Sequence, residues 1–203
     1  MINAGAITIA SLLPGESLSE KVKSVTRFLE AILQKKVHID QKVYLSEYHS
    51  ADYNRGIAYI LQANGFLNSA VEEALQVYLK LCSIVVNVTD LAKIALYFAL
   101  DGKNGIYAED AKCRPEVIHV AKALMLTCGM YNASGKFAAF IGLPAKSGVS
   151  GAIIAVVKDA EMEGLKGPMG IGLYGPAIDS VGNSVAGIHF LMKLSKEYEL
   201  FCL

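Results

Sequence analysis

The sequence predicts an α+β protein in which a helical layer covers an antiparallel sheet. Three observations carry that prediction. Apolar residues recur at helical spacing through most of the chain before Gly142, two glycine-punctuated β-rich runs follow, and the chain closes on another helical pattern.

Each element has its own local reason. Ser17-Leu-Ser-Glu20 has capping-box form and precedes Val22, Val25, Leu29, Ile32 and Leu33, whose three-and-four spacing predicts an amphipathic helix to about Lys36. A second helix is expected from the Ser50 to Asp52 region through Ile57, Ile60 and Leu61 to a stop at Asn64-Gly65. A third opens on the box Ser69-Ala-Val-Glu72 and runs through Leu75, Tyr78, Leu79 and Cys82. Two more follow, one capped near Asn87 to Thr89 and stopped by Asp101-Gly102, the other opened by Pro115 and ending at Cys128-Gly129. The runs Gly148 to Val157 and Met169 to Tyr174 read as adjacent antiparallel strands, with the Gly- and Pro-containing stretch 158–168 between them. A turn at Asp179 to Asn183 leads into a last helix from Ser184 through Val185, Ile188, Leu191, Met192 and Leu194. Without repeats, low-complexity tracts or linkers, residues 1–203 are expected to form a single domain.

Composition narrows the function classes. Nineteen basic residues balance nineteen acidic ones, and no basic cluster is interleaved with aromatics, so nucleic acid is not an expected partner. No apolar run, that from Ala152 to Val157 included, is long enough to span a bilayer, so no membrane partner is expected either. The 53% hydrophobic content is better placed in buried strands or a subunit interface. Four cysteines without a CxxC pair and four scattered histidines show no metal-ligand spacing. The start has no basic n-region, which suggests an intracellular, cytoplasmic protein with reduced thiols. On that reading the sequons Asn87-Val-Thr89 and Asn132-Ala-Ser134 are chance matches.

Two short motifs invite chemistry. Gly170-Ile-Gly172-Leu-Tyr-Gly175 matches the dinucleotide fingerprint, but it sits inside a predicted strand with Pro176 behind it and no helix opening. Lys146-Ser147-Gly148, at the head of a predicted strand, offers a basic group, a small hydroxyl donor and a glycine that admits a ligand close to the backbone. The strand edge beyond it can supply an N–H to an oxyanion hole.

Several segments taken together carry a family resemblance: Met1-Ile-Asn-Ala-Gly-Ala-Ile7, Asn54-Arg-Gly-Ile-Ala-Tyr59, Cys82-Ser83, Leu126-Thr-Cys-Gly-Met-Tyr-Asn-Ala-Ser-Gly135, Leu143-Pro-Ala-Lys-Ser-Gly-Val149 and Gly182-Asn-Ser-Val-Ala-Gly187. In this order the chain resembles the serine-dependent glutaminases over essentially its whole length. The resemblance implies the β-lactamase/transpeptidase-like fold, hydrolysis of the side-chain amide of L-glutamine to L-glutamate and ammonia, no metal or organic cofactor, and a homo-oligomer. It assigns substrate contacts to Asn3, Glu47, Asn54 and Tyr78. Glu47 suits an α-ammonium group, whereas the amides and the phenol can donate to a carboxylate or carbonyl. Glu47 and Asn54 are seven apart and would align if one helix covered both. Read without the resemblance, Glu47 is a solvated acid and Asn54 a helix-start residue.

The resemblance also places Tyr131 beside the nucleophile, assisting proton transfer between serine and leaving ammonia, and implicates Val149 through its backbone N–H as an oxyanion-hole donor. A phenol needs a nearby cation to act as a base, and Lys146 or the absent catalytic lysine would supply one. In isolation Tyr131 reads as a core or turn tyrosine. The Ser-x-x-Lys pair that such a mechanism needs is missing, since no serine here is followed by lysine three residues on. In the resembled family it precedes the Met1 to Ala6 segment, so the chain reads as an N-terminally truncated glutaminase, with its nucleophile and first strands absent. Two alternatives stay open: a catalytically inactive glutamine- or glutamate-binding or oligomerisation fragment, and a β-lactamase-like hydrolase.

Overall fold

The computed structural model describes residues 3–102 and 111–202. The chain forms two compact units, Met1–Glu30 with Lys35–Val85 and Ala31–Gln34 with Val86–Leu203.

The first unit is helical: α1 (Ala4–Leu12), α2 (Leu18–Leu33, whose last turn belongs to the second unit), α3 (Gln41–His49), α4 (Asp52–Ala63) and α5 (Val71–Cys82). The capping box of α2 forms as expected, with the Ser17 Oγ accepting from the Glu20 N–H at 3.3 Å and the Glu20 carboxylate accepting from the Ser17 N–H at 3.2 Å. The helix ends at Leu33, not Lys36, because Gln34 turns left-handed at φ 56°. The expected box at Ser69 does not form: Ala70 is the N-cap of α5, without a side-chain cap bond, and the Ser69 hydroxyl is buried with no partner among the described residues. Glu72 is engaged elsewhere, accepting from Arg55 Nε at 2.7 Å and from the Tyr48 hydroxyl at 3.2 Å. Helix α5 is the central post of this unit, with α1, α3 and α4 packed on it. Ala74 of α5 joins Ile7, Ile57 and Ala58 in one cluster, while Leu75 and Leu79 join Tyr44 and Ala51 in another.

The second unit holds α6 (Val88–Ala99), α7 (Pro115–Cys128), α8 (Ser134–Phe140), β1 (Ala145–Ser147), β2 (Ala152–Met162), β3 (Leu165–Tyr174) and α9 (Val185–Glu197). The sheet is antiparallel in the order β1-β2-β3, with Ser147 opposite Ile153 and Ile154 opposite Gly172. Two boundaries differ from the sequence expectation. Residues 146–147 belong to a separate strand, β1, because a turn at Gly148 to Gly151 folds the chain back before β2 begins. The stretch 158–168 is not a loop: β2 and β3 continue through it to a tight turn at Glu163-Gly164, where Gly164 takes φ 77°. Pro168 is tolerated because it lies at the register shift between Val157 and Ala160.

Strand β2 is buried on both faces, which explains its continuous apolar run. Ile153, Ala155 and Val157 pack with Phe137, Ile141 and Leu191, whereas Val156 packs with Ala95, Ala99 and Met125. Gly170 and Gly172 explain the dinucleotide-like motif structurally. A Cβ on Gly170 would lie 2.2 Å from the Ala92 carbonyl oxygen, and one on Gly172 2.3 Å from that of Val88. Both glycines let α6 press against β3. Asn87, the first residue of one sequon, forms a complete capping box with Asp90 at the start of α6.

Candidate active site

The predicted site residues fall into two groups, one in each unit. In the first unit, Asn3 and Asn54 come together, the Asn3 amide donating to the Asn54 Oδ1 at 2.8 Å. Asn3 is the N-cap of α1, and Asn54 lies in the first turn of α4. Tyr78, half-buried on α5, packs against the cluster of Ile7, Ile57 and Ala58 that joins these three helices. Glu47 lies exposed near the end of α3. The single helix that would have aligned Glu47 with Asn54 does not form. Ser50 ends α3, its hydroxyl donating back to the Ser46 carbonyl at 2.9 Å, and α4 starts anew at Asp52. The neighbours of both residues are nevertheless linked: Tyr48 and Arg55 share the Glu72 carboxylate, and the Arg55 guanidinium lies 5.5 Å from the Tyr48 ring centroid.

In the second unit, Tyr131, Lys146 and Val149 are brought together. The Lys146 ammonium sits 4.7 Å from the Tyr131 ring centroid and donates to the Ser147 carbonyl. It therefore meets the ring face, a cation–π contact. Val149 is exposed in the turn between β1 and β2, and among the described residues nothing accepts from its N–H. Gly182 joins the two: a Cβ there would lie 3.4 Å from Val149 Cγ1 and 3.5 Å from Tyr131 Cε2.

The backbone beneath Tyr131 is tightly specified. At Gly129, where α7 ends, a Cβ would lie 1.8 Å from the Ala145 carbonyl oxygen, so only glycine lets the chain pass β1. The Gly129 carbonyl accepts from the Ser147 N–H at 3.0 Å. Tyr131 then takes φ 53°, a left-handed conformation that costs a non-glycine residue about 1–2 kcal/mol. Ser134 stabilises it on both sides, its Oγ accepting from the Met130 N–H at 3.0 Å and donating to the Tyr131 carbonyl at 2.7 Å. From the facing loop, the Asn183 amide donates to the Met130 carbonyl at 3.2 Å. That loop is organised by Asp179, whose Oδ1 accepts from the N–H groups of Val181, Gly182 and Asn183, each at 2.9 Å. Those bonds, the one from Asn183 foremost, hold the Asp179 carboxyl below the ordinary range against the opposing effect of burial.

The sequence reading missed Ser134, Asp179 and Asn183 as parts of this arrangement. Two of the three lie in segments already singled out, Leu126 to Gly135 and Gly182 to Gly187, but nothing in a sequence shows which carbonyl a buried amide will reach. The Ser147 hydroxyl, expected to be a small donor, is buried and has no partner among the described residues. A cavity of about 510 Å³ in the same unit, lined by Phe137, Phe140, Val185, Ile188 and Met192 among others, includes none of the predicted site residues.

Comparison with known proteins points one way. The sequence profile of the Glutaminase family matches residues 1–202. The Glutaminase 2 of Bacillus anthracis is 54% identical over 202 residues, and the Glutaminase 1 of Bacillus subtilis is 48% identical. In both cases 98% of this chain is covered but only 62% of the relative, so the chain spans less than two thirds of the length of these relatives. The crystal structure of a Bacillus subtilis glutaminase in covalent complex with 5-oxo-L-norleucine, formed by reaction with 6-diazo-5-oxo-L-norleucine, superposes with a TM-score of 0.93 at 47% identity. That match covers 99% of this chain and 68% of the solved one, and the neighbours share the β-lactamase-like fold.

Proposed function

The chain belongs to the glutaminase family, and from that premise we propose that residues 1–203 form one glutaminase domain's substrate-holding and oxyanion side. It acts on L-glutamine and releases L-glutamate and ammonia through a serine acyl-enzyme. The observation that carries this reading is the similarity to a glutaminase captured with 5-oxo-L-norleucine. That molecule shares with glutamine an α-amino group, an α-carboxylate and a carbonyl at the fifth carbon. Asn3, Asn54, Glu47 and Tyr78 then hold the amino-acid end. Glu47 faces the α-ammonium group, and the Asn3–Asn54 pair retains an amide donor for the carboxylate. Tyr131 carries the proton to the leaving ammonia, Lys146 supplies positive charge beside it, and the Val149 N–H stabilises the tetrahedral oxyanion. The 203 residues contain no Ser-x-x-Lys, and in this reading the nucleophile belongs to the part of the relatives' length that the chain does not span. The proposal extends to a cytoplasmic homo-oligomer.

Ammonia release from L-glutamine tests the reading. It is measured on the chain and on the chain joined to the portion of the Bacillus anthracis relative that it does not span. Release by the joined polypeptide alone is the expected result. Release by neither overturns the reading, and hydrolysis of a β-lactam in place of glutamine would favour the β-lactamase-like alternative. The absence of Ser-x-x-Lys favours a second reading for the chain by itself, a glutamate-binding module. Calorimetric titration with L-glutamate tests that directly.

A further inference from the structure

Resting on that reading, we infer that Asn183 is a positioning residue that holds Tyr131 in its working orientation. The Gly182-Asn183-Ser184-Val185 segment has no role in the proposed chemistry, and the tasks of two of its residues are structural: Gly182 fits between Val149 and Tyr131, and Ser184 accepts from the Gly187 N–H as the N-cap of α9. Asn183 is fully buried. Its amide donates to the Met130 carbonyl at 3.2 Å, in the peptide that leads into the left-handed Tyr131, while its own Oδ1 is buried and has no partner among the described residues. Burying an unsatisfied acceptor is unfavourable, and an apolar side chain of the same shape would avoid it. Stability alone therefore does not account for an asparagine here. A bond that over-determines a strained backbone does.

The surroundings act with it. The Asp179 carboxylate fixes the N–H groups of residues 181–183, so the loop presents the Asn183 amide to residue 130 and the Gly182 backbone to the Tyr131 ring. Ser134 ties the two peptides that flank the Met130–Tyr131 peptide, through the Met130 N–H and the Tyr131 carbonyl. The Met130 carbonyl also accepts from the Ala133 N–H at 3.1 Å, within the same turn, so the Asn183 bond is the tie that comes from outside it. Without that bond the turn holding Tyr131 is no longer anchored to the facing loop, and the phenol shifts away from the Val149 turn. The group that carries the proton is then misplaced while the residues that hold the amino acid are untouched.

The test is a double-mutant cycle on the polypeptide that releases ammonia, with Asn183→Leu made in the parent and in Tyr131→Phe. In the parent, Asn183→Leu is expected to lower kcat by up to about 100-fold, with KM within about twofold and the melting temperature unchanged or raised. In Tyr131→Phe, where the hydroxyl is already gone, the same substitution is expected to lower kcat less than about twofold further. Equal losses in both backgrounds, or parental kcat in a folded Asn183→Leu protein, would overturn the inference. If Asn183→Leu does not fold, Ser134→Ala removes the opposite tie and is read in the same cycle by the same criteria. Parental kcat in Tyr131→Phe itself identifies a different failure, that of the reading of Tyr131 as proton carrier, and the inference falls with it.

Discussion

At the scale of single residues, the oxyanion assignment makes a distinction that ordinary truncation cannot. The Val149 side chain is 69% exposed, and only its N–H has a proposed task. Val149→Ala should therefore leave kcat within about twofold, whereas Val149→Pro, which deletes the donor, should cost about 10²–10³ in kcat. Steady-state kinetics on the ammonia-releasing polypeptide decides between these, and equal effects of the two substitutions would remove Val149 from the site. Asp179 gives a prediction in pH. Its carboxyl is held low by N–H groups that the folded loop alone supplies. The stability it contributes is therefore complete above the ordinary carboxylate range and drains away as pH falls from that range through its lower folded value. Asp179→Asn should melt below the parent at neutral pH, and the two curves should converge as pH falls below the ordinary carboxylate range. A difference in melting temperature that does not shrink on acidification would contradict this. Much of the site was legible as a set of residues but not as an arrangement. The sequence offers Lys146 or the absent catalytic lysine as the cation for Tyr131, and the Lys146 ammonium lies on the ring face, a geometry set by the short strand β1 that the sequence does not disclose.

At the scale of elements, what could be read depended on how local the signal was. Asn87 with Asp90 and Ser184 make cap bonds at the starts of α6 and α9, and Pro115 opens α7 at its first position, because each of these signals acts within one turn of chain. The Ser69 box failed because two long-range partners, Arg55 and Tyr48, hold Glu72. Helix α1 escaped notice because apolar residues surround it, leaving no polar face to reveal a period, and Ile9 and Leu12 remain more than half exposed. The hairpin across 158–168 was hidden by Pro168 and two glycines, residues that punctuate loops but here occupy a bulge and a turn. Gly170 and Gly172 carry the prediction proper to this scale. Their missing Cβ atoms would meet backbone of α6, which cannot move as a side-chain tip can. Gly172→Ala should therefore destabilise the protein by about 2–3 kcal/mol, as overpacking does, with the urea midpoint falling at unchanged m. Gly164→Ala, where nothing lies within 4 Å of the added carbon, isolates the backbone contribution: it should cost only about 1 kcal/mol, through its φ of 77°.

At the scale of the whole molecule, the 53% hydrophobic content calls for more buried surface than loose association would provide, and the exposed apolar residues show where some of it lies. Tyr53, Tyr59 and Ile60 of α4 are each more than half exposed, and Phe66, just beyond the helix, is 61% exposed. Tyr53 and Ile60 are two helical turns apart and so share one stripe. A stripe of this kind, running beside the face that packs Ile57 and Ala58 into the core, suits a second copy of the same helix, because a two-fold axis brings identical apolar stripes together without unpaired charge. The proposed homo-oligomer should accordingly weaken when the stripe is made polar. Analytical ultracentrifugation of the ammonia-releasing polypeptide is expected to show a dimer or larger assembly at micromolar concentration. In Tyr53→Ser combined with Ile60→Ser, dissociation should shift to concentrations at least about tenfold higher, since two partly exposed aromatic and aliphatic side chains at such a contact contribute a few kcal/mol. Asn54 lies beside Tyr53 on the same helix, so the substrate KM reports whether the change has spread into the site. A weakened assembly with unchanged KM assigns the stripe to association alone, whereas an unchanged assembly places the interface elsewhere.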